Sequence, residues 1–560
     1  MLTRLPERCT AVTGLEQKLC RHVWSAAWLR DAEPAAAASQ NIDLSSLMER
    51  AGRAAYDVFA DLYASERHWL VLVGPGNNGG DGYVIARHAR EAGRRVTVLC
   101  MPHSKPLPVE ATNAQHAWHD AGGTEVPVNP GAPLHLPADV DLVVDGLLGT
   151  GISGPPRKEY EDLIRHINAL TIPRVAIDIP SGLNAETGEA AGACVKADHT
   201  ATFICLKPGL LTGQAKEYVG QLHYRSLGLE EWMAAPERMD AALCRRVALS
   251  DVSGYFGTRR STLAHKGSCG KVVLVGGEHG YGGAVIMSAE ACVTVGAGLT
   301  RVLTRREYVA PLLTRCPEVM AVAVEVEAGG RLEQQMAEAF EWATTLAVGP
   351  GLGTGAYCQA ALTAALRHAE SHQEKTLVLD ADALNLLAGC LHGRGASSAT
   401  TGDTGAGKGL PVLPNSIITP HPGEAARLLA CRVADVEKDR LAAARRLAAI
   451  LGGICLLKGP GTIVHCHGSA KAAIVDAGNA GMASGGMGDV LTGLLAGLAA
   501  QRMHDSFDTT CAGALAHGLA ADIVAAEDGR GTRGIRATDL IGRVPFVVNA
   551  SPALFPAAQR

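Results

Sequence analysis

Three strings in this 560-residue chain put glycine beside acids, amides or hydroxyls at spacings that suit phosphate or proton chemistry. The first is Gly74-Pro75-Gly76-Asn77-Asn78-Gly79-Gly80-Asp81-Gly82. Its glycines let backbone amides approach a phosphate closely, and a following helix presents its positive N-terminus. The second is Gly149-Thr150-Gly151-Ile152-Ser153-Gly154. Each follows an apolar run, and two such loops together are a stronger signal than one. Tight packing turns between strand and helix are the other reading. Asp145 and Asp178 each close an apolar strand, where burial makes an unpaired charge costly. They need a cation, a hydroxyl or a substrate proton as partner, unless they cap helices. Asn78, Asp145 and Ser181 offer hard oxygen ligands, which suit an alkali or alkaline-earth cation better than zinc.

The third string is Gly478-Asn479-Ala480-Gly481-Met482-Ala483-Ser484-Gly485-Gly486-Met487-Gly488-Asp489. Small residues precede a helical pattern with an Asp at its start, an arrangement that forms an anion hole for a transferring phosphoryl group. Asp489 is placed to take a proton from an attacking hydroxyl. A capping Asp alone would not need so many preceding glycines. Gly402-Asp403-Thr404-Gly405-Ala406-Gly407-Lys408 imitates a phosphate loop, but Gly409 stands where Ser or Thr should ligate magnesium. No apolar strand precedes it and no helical pattern follows, so both contextual tests fail. His465-Cys466-His467 has no second ligand cluster and reads as ordinary strand-end residues.

The elements that must hold these residues repeat one rhythm: a short apolar run, a glycine turn, then a helical pattern. Trp69–Val73, Leu142–Asp145 and Arg174–Asp178 set it in the first half. Lys271–Val275, Leu346–Val348, Leu377–Leu379 and Ile454–Leu457 resume it in the second. Continuously apolar strands alternating with helices predict α/β domains with parallel sheets covered on both faces. In such sheets ligands bind beyond the carboxyl ends of the strands, where these glycine turns sit. The helix after the first loop is read from Tyr83 to Ala92. The rhythm weakens between Gly228 and Tyr255, which predicts two tandem domains, residues 24–240 and 249–555. Residues 1–23 read as an extension and residues 392–410 as a Gly/Ser/Thr-rich surface insertion.

Composition sets outer limits. With 47% hydrophobic residues and a net charge of −5, the chain is globular, not disordered. It carries no electrostatic footprint for nucleic acid or an anionic membrane. Fifteen Cys without a C-x-x-C pair point to a reducing compartment. No secretory leader is read in residues 1–30, and the apolar run Val490–Ala500 falls short of the roughly 20 residues of a membrane span. The expectation is a cytoplasmic protein, with apolar surface on single α/β domains making a homo-oligomer plausible.

The first domain resembles the NAD(P)H-hydrate epimerases, on Leu47-Met48-Glu49-Arg50-Ala51-Gly52, the Gly74–Gly82 string, Asp145–Gly154 with Pro155-Pro156-Arg157, and Ala176–Asn184. The resemblance implies a Rossmann-like fold that interconverts the R and S epimers of hydrated NADH or NADPH. It implies that Asn77, Asn78, Gly79, Gly80 and Asp81 hold the hydrated nucleotide together with Gly149, Thr150, Gly151, Ile152, Ser153, Gly154 and Pro155. It places Asp178 beside the nicotinamide, as acid or base, and potassium on Asn78, Asp145 and Ser181.

The second domain resembles the ribokinase superfamily in its Gly485–Asp489 string. It is similar to the NAD(P)H-hydrate dehydratases in His265-Lys266-Gly267, Asp380–Asn385, Thr419–Glu424 and Lys458-Gly459-Pro460-Gly461-Thr462. The resemblance implies a ribokinase-like fold that spends ADP, with magnesium, to remove water from the S epimer, giving NAD(P)H, AMP and phosphate. It places Ala284, Gly353, His421 and Asp489 at the hydrate, and Lys458, Gly459, Pro460, Gly461, Thr462 and Gly488 at the adenine nucleotide. A vitamin or sugar kinase carrying a Rossmann-like binding module is the alternative. It differs in preferring ATP and releasing a stable phosphorylated product.

Overall fold

The computed structural model describes residues 2, 5, 7–129, 136–258, 260–324, 331–393 and 410–550. The imitation phosphate loop and nearly all of the 392–410 insertion lie outside these residues. Two compact units form, one of Arg8–Arg246 and one of Val247–Arg560 joined by Met1–Glu7.

The first unit is built on an eight-stranded sheet. Its order is Cys9–Thr10, Gln221–Arg225, His199–Phe203, Arg174–Ile177, Leu142–Gly146, His68–Val73, Arg95–Cys100 and Glu125–Pro127. Every neighbouring pair is parallel. His68–Val73 is buried along its whole length, as expected of a strand covered on both faces. After His68–Val73 the chain builds outward through Arg95–Cys100, then returns to the other side of His68–Val73 with Leu142–Gly146. The turns that follow these two central strands therefore diverge and open a crevice between them. Residues 8–23 belong to this unit instead of standing ahead of it. Cys9–Thr10 extends the sheet, and the buried Glu16 carboxylate accepts a 2.7 Å hydrogen bond from Ser226 N.

The helix after His68–Val73 starts at Asn77, six residues earlier than the sequence predicts. Glycine's low helix propensity made its first two turns read as a loop. Packing demands those glycines. A Cβ on Gly79 would collide with the Gly74 carbonyl, one on Gly80 would lie 2.6 Å from Met48 Sδ, and one on Gly82 would lie 2.9 Å from Val73 Cγ1. Met48 comes from the amphipathic helix Leu44–Leu62, which Asp43 caps by accepting a 2.7 Å bond from Ser46 N.

The second unit carries parallel strands in the order Met320–Ala323, Leu299–Thr304, Lys271–Val275, Thr345–Val348, Thr376–Leu379, Ser416–Ile418 and Ile454–Leu457. Thr462–Cys466 and Ala472–Val475 continue the sheet in antiparallel fashion. The order again reverses beside the first strand, between Lys271–Val275 and Thr345–Val348. Helix Met487–Gln501 packs closely on helix Gly282–Thr294, and a Cβ on Gly493 would strike the Ser288 carbonyl. Helix Ser506–Ala526 is long and apolar enough to cross a membrane, but 83% of that apolar window is buried inside the domain. It is a core helix. The cysteines of the described residues are all free thiols.

Candidate functional site

In the first unit, the crevice opens into a cavity of about 540 Å³. Asn77, Asn78 and Asp81 line one side, and Gly149, Thr150, Gly151 and Ile152 line another. Gly79, Gly80, Ser153, Gly154 and Pro155 are not among the lining residues. Gly79 and Gly80 serve the packing described above, so the packing-turn reading holds for these two glycines. Gly76 and Gly151 have open space where a Cβ would stand. Asp178 lines the cavity with a left-handed backbone, φ 58°, a conformation that Asp tolerates better than most residues. Its Oδ1 forms an ion pair with the fully buried Lys207 and accepts from Thr202 Oγ1 at 3.0 Å and Phe203 N at 3.3 Å.

The three oxygen-bearing residues read as a cation site are brought together. Ser181 Oγ donates to Asp145 Oδ1 at 2.6 Å, and Ser181 N donates to Asp145 Oδ2 at 2.8 Å. The Leu148 carbonyl accepts from Asn78 Nδ2 at 3.0 Å, and Ser181 Oγ accepts from Leu148 N at 2.8 Å. Asp145 is wholly buried, and only neutral donors reach it among the described residues. Burial pushes its pKa up to about 6, against the hydrogen bonds from Ser181 and Leu147 N. A buried carboxylate among hydroxyl, amide and carbonyl oxygens, without a cationic side chain, is a donor set that fits an alkali cation.

In the second unit, Gly486 (φ 89°) immediately precedes helix Met487–Gln501, and Asp489 is the third helical residue. Thr492, one turn further, donates from Oγ1 to Asp380 Oδ2 at 2.8 Å. Asp380, buried at the end of Thr376–Leu379, accepts from Lys458 Nζ at 2.7 Å. Glu424 Oε2 lies 3.7 Å from the same ammonium. Burial alone would lower the Lys458 pKa, but Asp380 and Glu424 outweigh it and the value rises. Asp489 is pushed up to about 7, by burial first and then by Asp380, with Lys458 opposing. Glu424 also rises to about 7, chiefly through burial. The space at Gly488 is tight: a Cβ would stand 3.2 Å from Lys458 Nζ and 3.3 Å from Asp380 Oδ2.

The other expected residues fall around this group. Ser288 Oγ lies 3.1 Å from the Ala284 carbonyl and 2.8 Å from that of Asp489, which joins the starts of two helices. Gly353, with φ 68°, donates its N–H to Asp382 Oδ2 at 2.8 Å. His421 caps helix Pro422–Leu428: its Nδ1 accepts from Gly423 N at 3.0 Å, and Nε2 lies 3.3 Å from Glu424 Oε1. Its ring is therefore also structural. Gly459 adopts φ 141°, and a Cβ there would lie 2.7 Å from a guanidinium nitrogen of the buried Arg440. Arg440 in turn donates to the Leu457 and Lys458 carbonyls at 3.3 and 3.1 Å. Thr462 Oγ1 donates to the Gly459 carbonyl at 3.0 Å. Pro460 and Gly461 complete this turn.

Sequence reasoning missed Lys207 and Glu33 in the first site and Asp380, Glu424 and Arg440 in the second. Only the Asp380-Ala381-Asp382 and Thr419–Glu424 strings flagged the neighbourhood of two of them.

The family described as YjeF-related protein N-terminus matches residues 44–209, and the family described as NAD(P)H-hydrate dehydratase matches residues 272–545. A bifunctional NAD(P)H-hydrate repair enzyme of Leishmania infantum is 84% identical over 551 residues, covering 98% of each chain. One from Escherichia coli is 47% identical over 531 residues, covering 94% of each chain. A solved ribokinase-like superfamily protein from Enterococcus faecalis is 30% identical, with a TM-score of 0.46, covering 55% of this chain and 97% of its own.

Proposed function

The chain belongs to the bifunctional NAD(P)H-hydrate repair enzymes, and from that premise we propose how its two sites divide the repair. The first unit epimerises R- and S-hydrates of NADH and NADPH in the cavity lined by Asn77, Asn78, Asp81, Gly149–Ile152 and Asp178. Asn78, Asp145 and Ser181 would hold potassium. Bound there, the ion would offset the charge of the buried Asp145 carboxylate and fix the Leu148 turn at the cavity wall.

The second unit dehydrates the S-hydrate, taking ADP with its magnesium as co-substrate. Hydroxide is a poor leaving group at C6 of the hydrated ring. Asp489 takes the hydroxyl proton as the oxygen attacks the terminal phosphorus, and AMP departs. Lys458 and the amides at the start of Met487–Gln501 face the charge that develops. The ring nitrogen lone pair then expels phosphate, and loss of the C5 proton restores the dihydropyridine. The observation that carries this reading is Asp489 in the first turn of a helix entered through Gly486, beside Lys458 and close to its own titration point.

The test mixes the full chain with R- and S-hydrates and ADP or ATP, following the reduced-nicotinamide absorbance. Complete recovery of both epimers with ADP is expected. Recovery of the S fraction alone would remove the epimerase assignment. A stable phosphorylated product made from ATP would replace the dehydratase by a kinase.

A further inference from the structure

Of the four carboxyl groups that line the first cavity, Asp81 and Asp178 sit in contrasting surroundings. Asp178 is paired with Lys207, whose Nζ also donates to Thr202 Oγ1 and the Phe203 carbonyl, both at 3.1 Å. Asp81 is only 9% exposed, and its carboxyl accepts no hydrogen bond from the described residues. A charged carboxylate so placed is strongly disfavoured. Burial first, then the charges of Asp178 and Glu33, raise its pKa well above the ordinary range, with Lys207 opposing. Glu33 comes from helix Ala26–Ser39, and Arg30 and Glu110 line the same cavity. The surroundings of Asp81 therefore favour the protonated form, where Asp178 sits in an ion pair.

Their placement follows from the sheet. Asp81 belongs to the helix after His68–Val73, and Asp178 follows Arg174–Ile177, with Leu142–Gly146 between. Both side chains line the same cavity, which holds about 540 Å³.

We propose that Asp81 is the general acid of epimerisation and that Asp178, paired with Lys207, is its general base. The proposal rests on the epimerase reading above. The Asp81 proton passes to the C6 hydroxyl as the C6–O bond breaks. The bonding pair stays on oxygen, which leaves as water, and the N1 lone pair forms N1=C6. A water on the Asp178 side bonds to C6, the N1=C6 pair returns to N1, and Asp178 takes the proton released. One oxygen is exchanged with solvent. The enzyme ends with its proton on Asp178, which is the state that runs the inversion in the other direction. Proton exchange with solvent through the cavity mouth resets it.

The test uses the full chain and one pure hydrate epimer in water enriched in oxygen-18. Mass spectrometry should find one heavy oxygen per inverted C6 in the wild-type reaction. Asp81→Asn should lower the epimerisation kcat at least 100-fold in both directions with KM within a few-fold. ADP-driven dehydration of the S-hydrate by the same sample should stay at wild-type level. Asp81→Glu should recover part of the rate, with the high-pH limb of the profile displaced. Full epimerisation by Asp81→Asn, or inversion with the original oxygen retained, would overturn the proposal. A wild-type chain that dehydrates the S-hydrate but interconverts nothing would instead remove the epimerase reading on which it rests.

Discussion

As the proposed general base Asp489 would work only when ionised, and its surroundings move that ionisation to about pH 7. Dehydration should therefore rise with pH through about 7 and level off above it. Glu424 titrates in the same range against the same lysine, so the limb belongs to the coupled group and not to one residue. Asp489→Asn should lower dehydration by about 10²–10⁴-fold, the usual share of a general base, while epimerisation continues. The same shift has a stability consequence. Folding raises this pKa from 3.8 to about 7, so the native state holds a proton that the unfolded chain releases between those values. The contribution is neutral below about 3.8, grows destabilising as pH rises from there to about 7, and stays constant above it. Asp489→Asn should thus melt higher than wild type at pH 8.5, with the gap shrinking at pH 5.5, as read by calorimetry. Asp489 was legible because its glycines announce it. Lys207 and Asp380 were not, because a lysine after a strand and one of two neighbouring aspartates acquire meaning only when sheet register sets them against a partner.

Elements were legible in their order and less so in their limits. Apolar runs located the strands, but the glycines of residues 77–82 disguised a helix start that tertiary packing requires. Gly79→Ala would drive a Cβ into the Gly74 carbonyl. Denaturant unfolding of the first unit should show a loss of about 1–3 kcal/mol or more, with epimerisation falling alongside. The Lys458–Thr462 turn makes the matching case in the second unit, because Gly459 at φ 141° stands against Arg440. Gly459→Ala should cost about 1–3 kcal/mol of local strain and raise the KM for ADP, with R-to-S interconversion unchanged. The segment before Asp489 is held from beneath. Asp522, on helix Ser506–Ala526, accepts from Gly478 N and Asn479 Nδ2, both at 2.9 Å. That anchor lies more than 30 residues downstream of the glycines it steadies, and no local pattern joins the two.

At the scale of the whole molecule, each unit has its own reversal of strand order, with its candidate site lying beyond the strand ends. Two domains and their fold classes could be read from the repeated rhythm. The assignment of residues 8–23 could not, since a two-residue edge strand carries no periodicity. If potassium occupies the Asp145 site, replacing it with choline should lower the melting of the first unit alone, by the ordinary linkage between binding and stability. Asp145→Asn should make that transition insensitive to the exchange.

Helix Ser506–Ala526 is the apolar centre of the second unit, yet it follows every described strand of that unit in the chain. During synthesis the ribosome delivers the sheet first and the element that covers it last. For that interval, the inner surfaces of the sheet and of helix Met487–Gln501 stand open to water and to other chains. The first unit, complete by Arg246, has no such wait. A nascent chain should gain its epimerase fold early and depend on chaperones for the dehydratase. A stop codon shortly before residue 506 should then yield insoluble product from the second unit, although every strand of its sheet has been made.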